Sequence, residues 1–121
     1  MYMFGESIKE FKKKDFSSRK DRSVNLIQKY PDRCPILLDK MNGSVGSVPA
    51  KCKYLVPRTL TIGQFMYVIR KHIKLKSSQA FFLFIKETIP PSSALVGDIY
   101  EKMKDIDGFL YVVFTTENAF G

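Results

Sequence analysis

The sequence predicts an α+β fold in which helices flank a four-stranded mixed sheet, with two additional helices ahead of it. Three observations predict it. The runs at 80–85 and 109–114 are apolar on both faces, as strands buried on both sides are. One amphipathic helix, at 62–73, separates the earlier strand signals from the first of these runs. The N-terminal part instead shows helical spacing that stops at Pro31.

Residues 6–15 read as a short basic helix with Ile8 and Phe11 on its apolar side. A second helix starts at Ser17 or Ser18, good N-cap types, and carries Val24, Ile27 and Tyr30 in line, with Leu26 toward a different face. Arg33 to Asp39 reads as a strand, and Pro35, which has no N–H, assigns it to an irregular or edge position. Asn42-Gly43 through Pro49 is a loop by composition. Next, Cys52, Tyr54 and Val56 alternate with Lys51, Lys53 and Leu55 in a strand closed by Pro57.

Thr61 caps a helix whose Ile62, Phe65, Met66, Ile69 and Ile73 form one stripe; its end is basic, as the helix dipole prefers. The 80–85 run reads as a central strand. Pro90-Pro91-Ser92-Ser93 is a turn and cap before a short helix near Leu95 to Met103, and 109–114 is the last buried strand. Without the first two helices the order is ββαβαβ, a sheet of the β-grasp kind.

At 121 residues, the chain is the size of one domain and apolar enough for a packed core. No run of about 18 apolar residues occurs, and no secretory or lipidation signal is legible at the start. Two cysteines without a CxxC pair suit a reducing cytosol better than a disulfide framework. From Lys40 to Lys86 there are nine Lys or Arg and no acid. A segregation that complete favours an acidic partner: a peptide, nucleic acid or an anionic membrane.

Catalysis finds little support. His72, the single histidine, lies in the cationic stretch Arg70-Lys71-His72, which depresses its pKa. No metal-ligand cluster, phosphate-binding glycine loop or nucleophile elbow occurs, so no catalytic residue, metal or cofactor is expected. Specific nucleic-acid binding is not expected either, because most aromatics fall on core positions. A charge-driven microtubule- or nucleic-acid-binding module is the alternative.

Several strings of residues carry a family resemblance. They are Lys29-Tyr30-Pro31-Asp32-Arg33, Lys53-Tyr54-Leu55-Val56-Pro57, Leu60-Thr61-Ile62-Gly63-Gln64-Phe65, Ile89-Pro90-Pro91, Asp107-Gly108-Phe109-Leu110-Tyr111 and the ending Glu117-Asn118-Ala119-Phe120-Gly121. In that order they resemble the autophagy ubiquitin-like modifiers of the GABA-receptor-associated-protein (GABARAP) type, from about Ser17 onward.

Residues 1–16 are expected as a basic helical segment on charge and spacing, and the resemblance implies a ubiquitin-like domain over 17–121, with a flexible tail at 116–121. It also implies a cytoplasmic protein conjugated through Gly121 to phosphatidylethanolamine on autophagosomal membranes. E1-like activating and E2-like conjugating enzymes would act on it, together with a processing cysteine protease. Cargo receptors with acid-flanked aromatic-x-x-aliphatic motifs would add a strand beside Lys53 to Val56, which requires that edge to be open. The implied aromatic pocket is Leu26, Pro35, Leu37, Lys53, Leu55 and Phe109. The aliphatic pocket is Tyr54, Val56, Pro57, Leu60, Phe65, Val68 and Ile69, and Arg33, Lys51 and Lys53 would pair with the acids. Two residues depart from the pattern: Arg22 stands where members often have an acid, and His72 replaces a frequent Arg.

Overall fold

The computed structural model describes residues 2–4, 8–41, 52–73 and 80–116. In chain order these form β1 (Tyr2–Phe4), α1 (Ile8–Lys12), α2 (Phe16–Lys29), β2 (Arg33–Lys40), β3 (Cys52–Pro57), α3 (Ile62–His72), β4 (Phe81–Phe84), α4 (Val96–Met103) and β5 (Leu110–Thr116). The strands make one sheet in the order β1-β3-β2-β5-β4, with β2 and β5 parallel and every other pair antiparallel. The four expected strands and their mixed β-grasp pairing are present. A fifth, three-residue strand from the N-terminus joins them.

β2 is not at an edge. It lies between β3 and β5 with Pro35 buried. The hydrogen-bond phase explains how the sheet tolerates this proline. Met41 N–H donates to Phe114 O at 2.8 Å, and backbone groups alternate sides along a strand, so odd residues of β2 face β5. The β5 pairing begins at Ile36, one residue past Pro35. The next carbonyl in that series belongs to Gly108, and the Tyr100 hydroxyl donates to it instead.

The run at 80–85 is likewise not central, since β4 is the outermost strand. Phe81 and Leu83 are buried while Phe82 and Phe84 are half-buried. Apolarity on both sides reports cover on two faces, not a place in the middle of the row.

The main core lies on the sheet face carrying Cys34, Ile36 and Leu38, with α3 contributing Ile62, Phe65, Ile69 and the following Ile73, and α4 contributing Ile99 and Tyr100. The predicted α3 stripe is the buried one. Its cap is reciprocal: Thr61 Oγ1 accepts from Gln64 N–H at 3.1 Å, and Gln64 Oε1 accepts from Thr61 N–H at 2.9 Å. α4 has Leu95 at its N-cap, with no side-chain cap hydrogen bond. Val96 and Gly97 donate their N–H groups to the carbonyls of Leu60 and Arg58, so the loop before α3 terminates the helix that follows β4.

α2 begins at Phe16, one residue before the nearer of the expected caps. Val24 is exposed, Ile27 packs on the main core, and Leu26 joins a second cluster on the opposite sheet face. That cluster is built on Phe11, Leu37 and Phe109. α1 is therefore docked, shorter than expected, with Ile8 N–H donating to Asp39 Oδ2 at 2.9 Å.

Candidate functional site

β3 separates the two clusters. Tyr54 and Val56 point into the main core, so by alternation Lys53 and Leu55 point to the α1–α2 face. Pairing with β2 sets Leu37 opposite Lys53 and Pro35 opposite Leu55, and directly opposed residues share a face. Leu26 packs beside Leu37 and Phe109 from α2. The six residues expected in the aromatic pocket thus meet on one face.

Phe11 lies among them. It is fully buried, edge-on to Phe109 with ring centroids 5.0 Å apart, and Lys53 Nζ is 5.1 Å from its ring centre. The sequence signal was the Ile8–Phe11 spacing, which marked an apolar helix side but not its destination.

The aliphatic set divides in two. Tyr54, Val56, Phe65 and Ile69 are buried in the main core, while Pro57 and Leu60 are half-buried and Val68 is exposed. Leu60 and Val68 line an open groove with Gln64, Tyr67 and Ser92. Tyr67, 61% exposed, was not singled out because it falls off the buried α3 stripe.

Tyr54 meets Phe65 edge to face and shares a 2.8 Å hydrogen bond between its hydroxyl and His72 Nδ1. His72 is consequently half-buried, not exposed. Its pKa is lowered by burial first and by the amino-terminal charge second, so the direction matches the sequence reading and the leading cause does not. Of the acid-pairing residues, Arg33 Nη1 donates to Leu55 O at 3.2 Å. Lys51 and Gly121 lie outside the described residues.

A polar clamp fixes the pocket walls. Asp107, fully buried, accepts from Arg19 Nη1 at 2.8 Å and from the Tyr111 hydroxyl through Oδ2, and from Phe109 N–H at 2.9 Å through Oδ1. Ser23 Oγ donates to the Asp107 carbonyl. α2, which bears Leu26, is thereby tied to the turn that bears Phe109. Gly108 in that turn has φ +90°, and a Cβ there would lie 2.2 Å from Ser23 Oγ, so no other residue fits without displacing α2. Burial and Asp107 push the Tyr111 hydroxyl pKa up, in that order. Nothing in the periodicity marks Arg19, Ser23 or Asp107 as partners.

Burial pushes the Cys34 thiol up to about 11, against a smaller opposing pull from Arg58. At neutral pH it is a protonated packing group, not a thiolate. Among the described residues no His, Cys, Asp or Glu group could hold a metal ion, and no helix is long and apolar enough to cross a membrane.

The outer edge of β3, expected to be open, is covered from Cys52 to Tyr54. β1 pairs with it antiparallel, setting Tyr2 opposite Tyr54, Met3 opposite Lys53 and Phe4 opposite Cys52. The phase deduced for β2 carries over: its even residues face β3, so Lys53 and Leu55 direct their backbone groups outward. Met3 and Lys53 therefore form the hydrogen-bonded pair, flanked by two non-hydrogen-bonded pairs. No strand signal marks this pairing in advance, since Tyr2-Met3-Phe4 is too short a run to register as a strand.

A β2–β3 hairpin, a helix across one face, a central parallel pair and two preceding helices define a ubiquitin-like β-grasp protein. The family described as "Autophagy protein Atg8 ubiquitin like" matches residues 18–121. Autophagy-related protein 8 of Schizosaccharomyces pombe is 50% identical over 106 residues, 88% of each chain. The protein of that name from Coccidioides immitis is 49% identical over 88% of this chain and 91% of its own. The crystal structure of Trypanosoma brucei ATG8 superposes with a TM-score of 0.82 at 38% identity, covering 93% of this chain and 97% of that one. The chain belongs to the Atg8 family of autophagy-related ubiquitin-like proteins.

Proposed function

We propose that this protein is a non-enzymatic modifier joined through Gly121 to phosphatidylethanolamine on autophagosomal membranes, where it recruits cargo receptors carrying acid-flanked aromatic-x-x-aliphatic motifs. Family membership over residues 18–121 carries the reading, because that span includes Gly121 and every docking residue named above. The chemistry is acyl transfer. An E1-like enzyme makes the acyl-adenylate of the glycine carboxylate from ATP with release of pyrophosphate. A cysteine thiol displaces AMP to give a thioester that is passed to a cysteine of the E2-like enzyme, and the lipid amine displaces that thiol to form an amide. A residue without Cβ suits passage through a narrow active-site channel. A cysteine protease of the family's processing and deconjugating type reverses the conjugation by hydrolysing that amide. The unconjugated pool is cytoplasmic.

Docking uses β-augmentation at the outer edge of β3, which β1 occupies from Cys52 to Tyr54 and must vacate there for a partner strand to pair along its length. The motif's aromatic side chain enters among Leu26, Pro35, Leu37, Lys53, Leu55 and Phe109. Its aliphatic side chain lies over Leu60 and Val68, above the floor of Tyr54, Val56, Pro57, Phe65 and Ile69. Arg33, Lys51 and Lys53 face the acids. Supporting this are the shared face of the aromatic set and the acid-free stretch around β3.

Titration of a labelled acidic Trp-x-x-Leu peptide tests the groove. Leu55→Ala and Lys53→Ala are both expected to weaken binding; unchanged affinity in both rejects the groove. Affinity that collapses with salt yet ignores Leu55→Ala would favour charge-driven binding instead. Gly121→Ala is expected to leave this binding intact.

A further inference from the structure

The geometry points to residues 2–12 as a built-in strap that competes with partner peptides for the β3 edge. This inference rests on the docking reading given above. β1 uses the same outward backbone groups that an added strand needs, with Met3 on Lys53. Its presence there is not left to a chance encounter. Only three residues, 5–7, separate β1 from α1. α1 is held by the fully buried Phe11, by the Ile8–Asp39 hydrogen bond and by Lys12 Nζ 4.4 Å from the Tyr111 ring centre.

So short a tether converts strand pairing into an intramolecular event at an effective concentration on the order of millimolar. An incoming peptide competes against that local concentration. The described pairing of β1 reaches Tyr54 and leaves Leu55 to Pro57 outside it, so a partner has a foothold from which to peel β1 away. Lys53, one of the cations meant for the partner's acids, meanwhile sits over Phe11 of the same strap.

The strap also lies ahead of residues 18–121, the span that the family description matches, while the likeness to the Trypanosoma brucei structure, over 93% of this chain, reaches into its helical part. It is an addition to the β-grasp body and not one of its strands. Its role is to raise the threshold for docking, so that only peptides able to displace β1 are retained.

Two full-length variants test this with the labelled acidic Trp-x-x-Leu peptide. Met3→Pro removes the N–H that bonds Lys53 and disfavours a ladder position. It is expected to tighten binding on the order of tenfold, the scale set by three short cross-strand pairs and the released edge. Phe4→Cys places a thiol opposite Cys52 in a non-hydrogen-bonded pair, whose Cα separation of about 4.5 Å falls in disulfide range. Oxidation to the monomeric disulfide is expected to weaken binding by at least tenfold, with recovery on reduction.

Equal affinity for wild type, Met3→Pro and the oxidised form overturns the strap and leaves the groove standing. Oxidised Phe4→Cys that binds as tightly as its reduced form overturns it too. A disulfide found only between two molecules shows that β1 does not cap its own chain. Absence of binding by every form, Met3→Pro included, rejects the groove itself and the strap with it.

Discussion

The clamp at Asp107 gives the sharpest stability prediction. Asp107→Ala removes a fully buried carboxylate that receives three donors: Arg19 Nη1, the Tyr111 hydroxyl and Phe109 N–H. The Arg19 side chain is 14% exposed, so the variant strands a mostly buried cation as well as two neutral donors. Breaking a buried ion pair by deleting one partner costs about 3–5 kcal/mol. The unfolding entropy of roughly 2.1 cal/mol/K per residue, taken over 121 residues, comes to about 0.25 kcal/mol/K. The midpoint of thermal unfolding should therefore fall by about 12–20 °C. Chemical denaturation with an unchanged slope would show that the native state, not the extent of unfolding, has changed. Asp107→Asn keeps an acceptor for Phe109 N–H and should lose less, about 1–3 kcal/mol. In the double variant with Arg19→Met, the two losses should sum to clearly less than additive, because the second deletion removes the stranded charge. A loss below about 1 kcal/mol for Asp107→Ala would refute the claim that this carboxylate ties α2 to the β5 turn.

Two further outcomes follow from local geometry. Thr61→Ala, which opens the capping box on α3, should lower stability by about 1 kcal/mol and the midpoint by about 4 °C. His72 favours its neutral ring in the folded chain, its pKa lying below 6.5. Unfolding therefore takes up a proton, and stability is full above pH 6.5 and declines as the pH falls below it; His72→Gln should flatten that part of the stability profile.

Periodicity carried most of the architecture. The α3 stripe, its Thr61 cap and the two apolar runs were legible because each is a local pattern whose period matches the element it forms. The position of β2 was not, because Pro35 reads as an edge residue until the phase of pairing with β5 is known. That phase depends on Leu110 and Phe114, more than seventy residues away. β4 misled for a related reason: cover on two faces does not distinguish an edge from a centre.

The docking set came from family strings, and the structure brings its aromatic half to one face. The half-buried Leu60 and exposed Val68 stand apart from buried Phe65 and Ile69 only once α3 is oriented against the sheet. What no local pattern could show is the pairing of residues far apart in the chain, such as Arg19 with Asp107 or Met3 with Lys53. Both depend on where helices and strands meet, and only the assembled fold specifies that.

Conjugation is measured most directly by intact mass after incubation with the family's E1-like and E2-like enzymes, ATP and phosphatidylethanolamine liposomes. The wild-type chain should gain the mass of one phospholipid less one water, only when ATP is present, and Gly121→Ala should gain none. A wild-type chain that stays unmodified while a family member runs to completion beside it, or a Gly121→Ala chain that acquires lipid, would contradict the account.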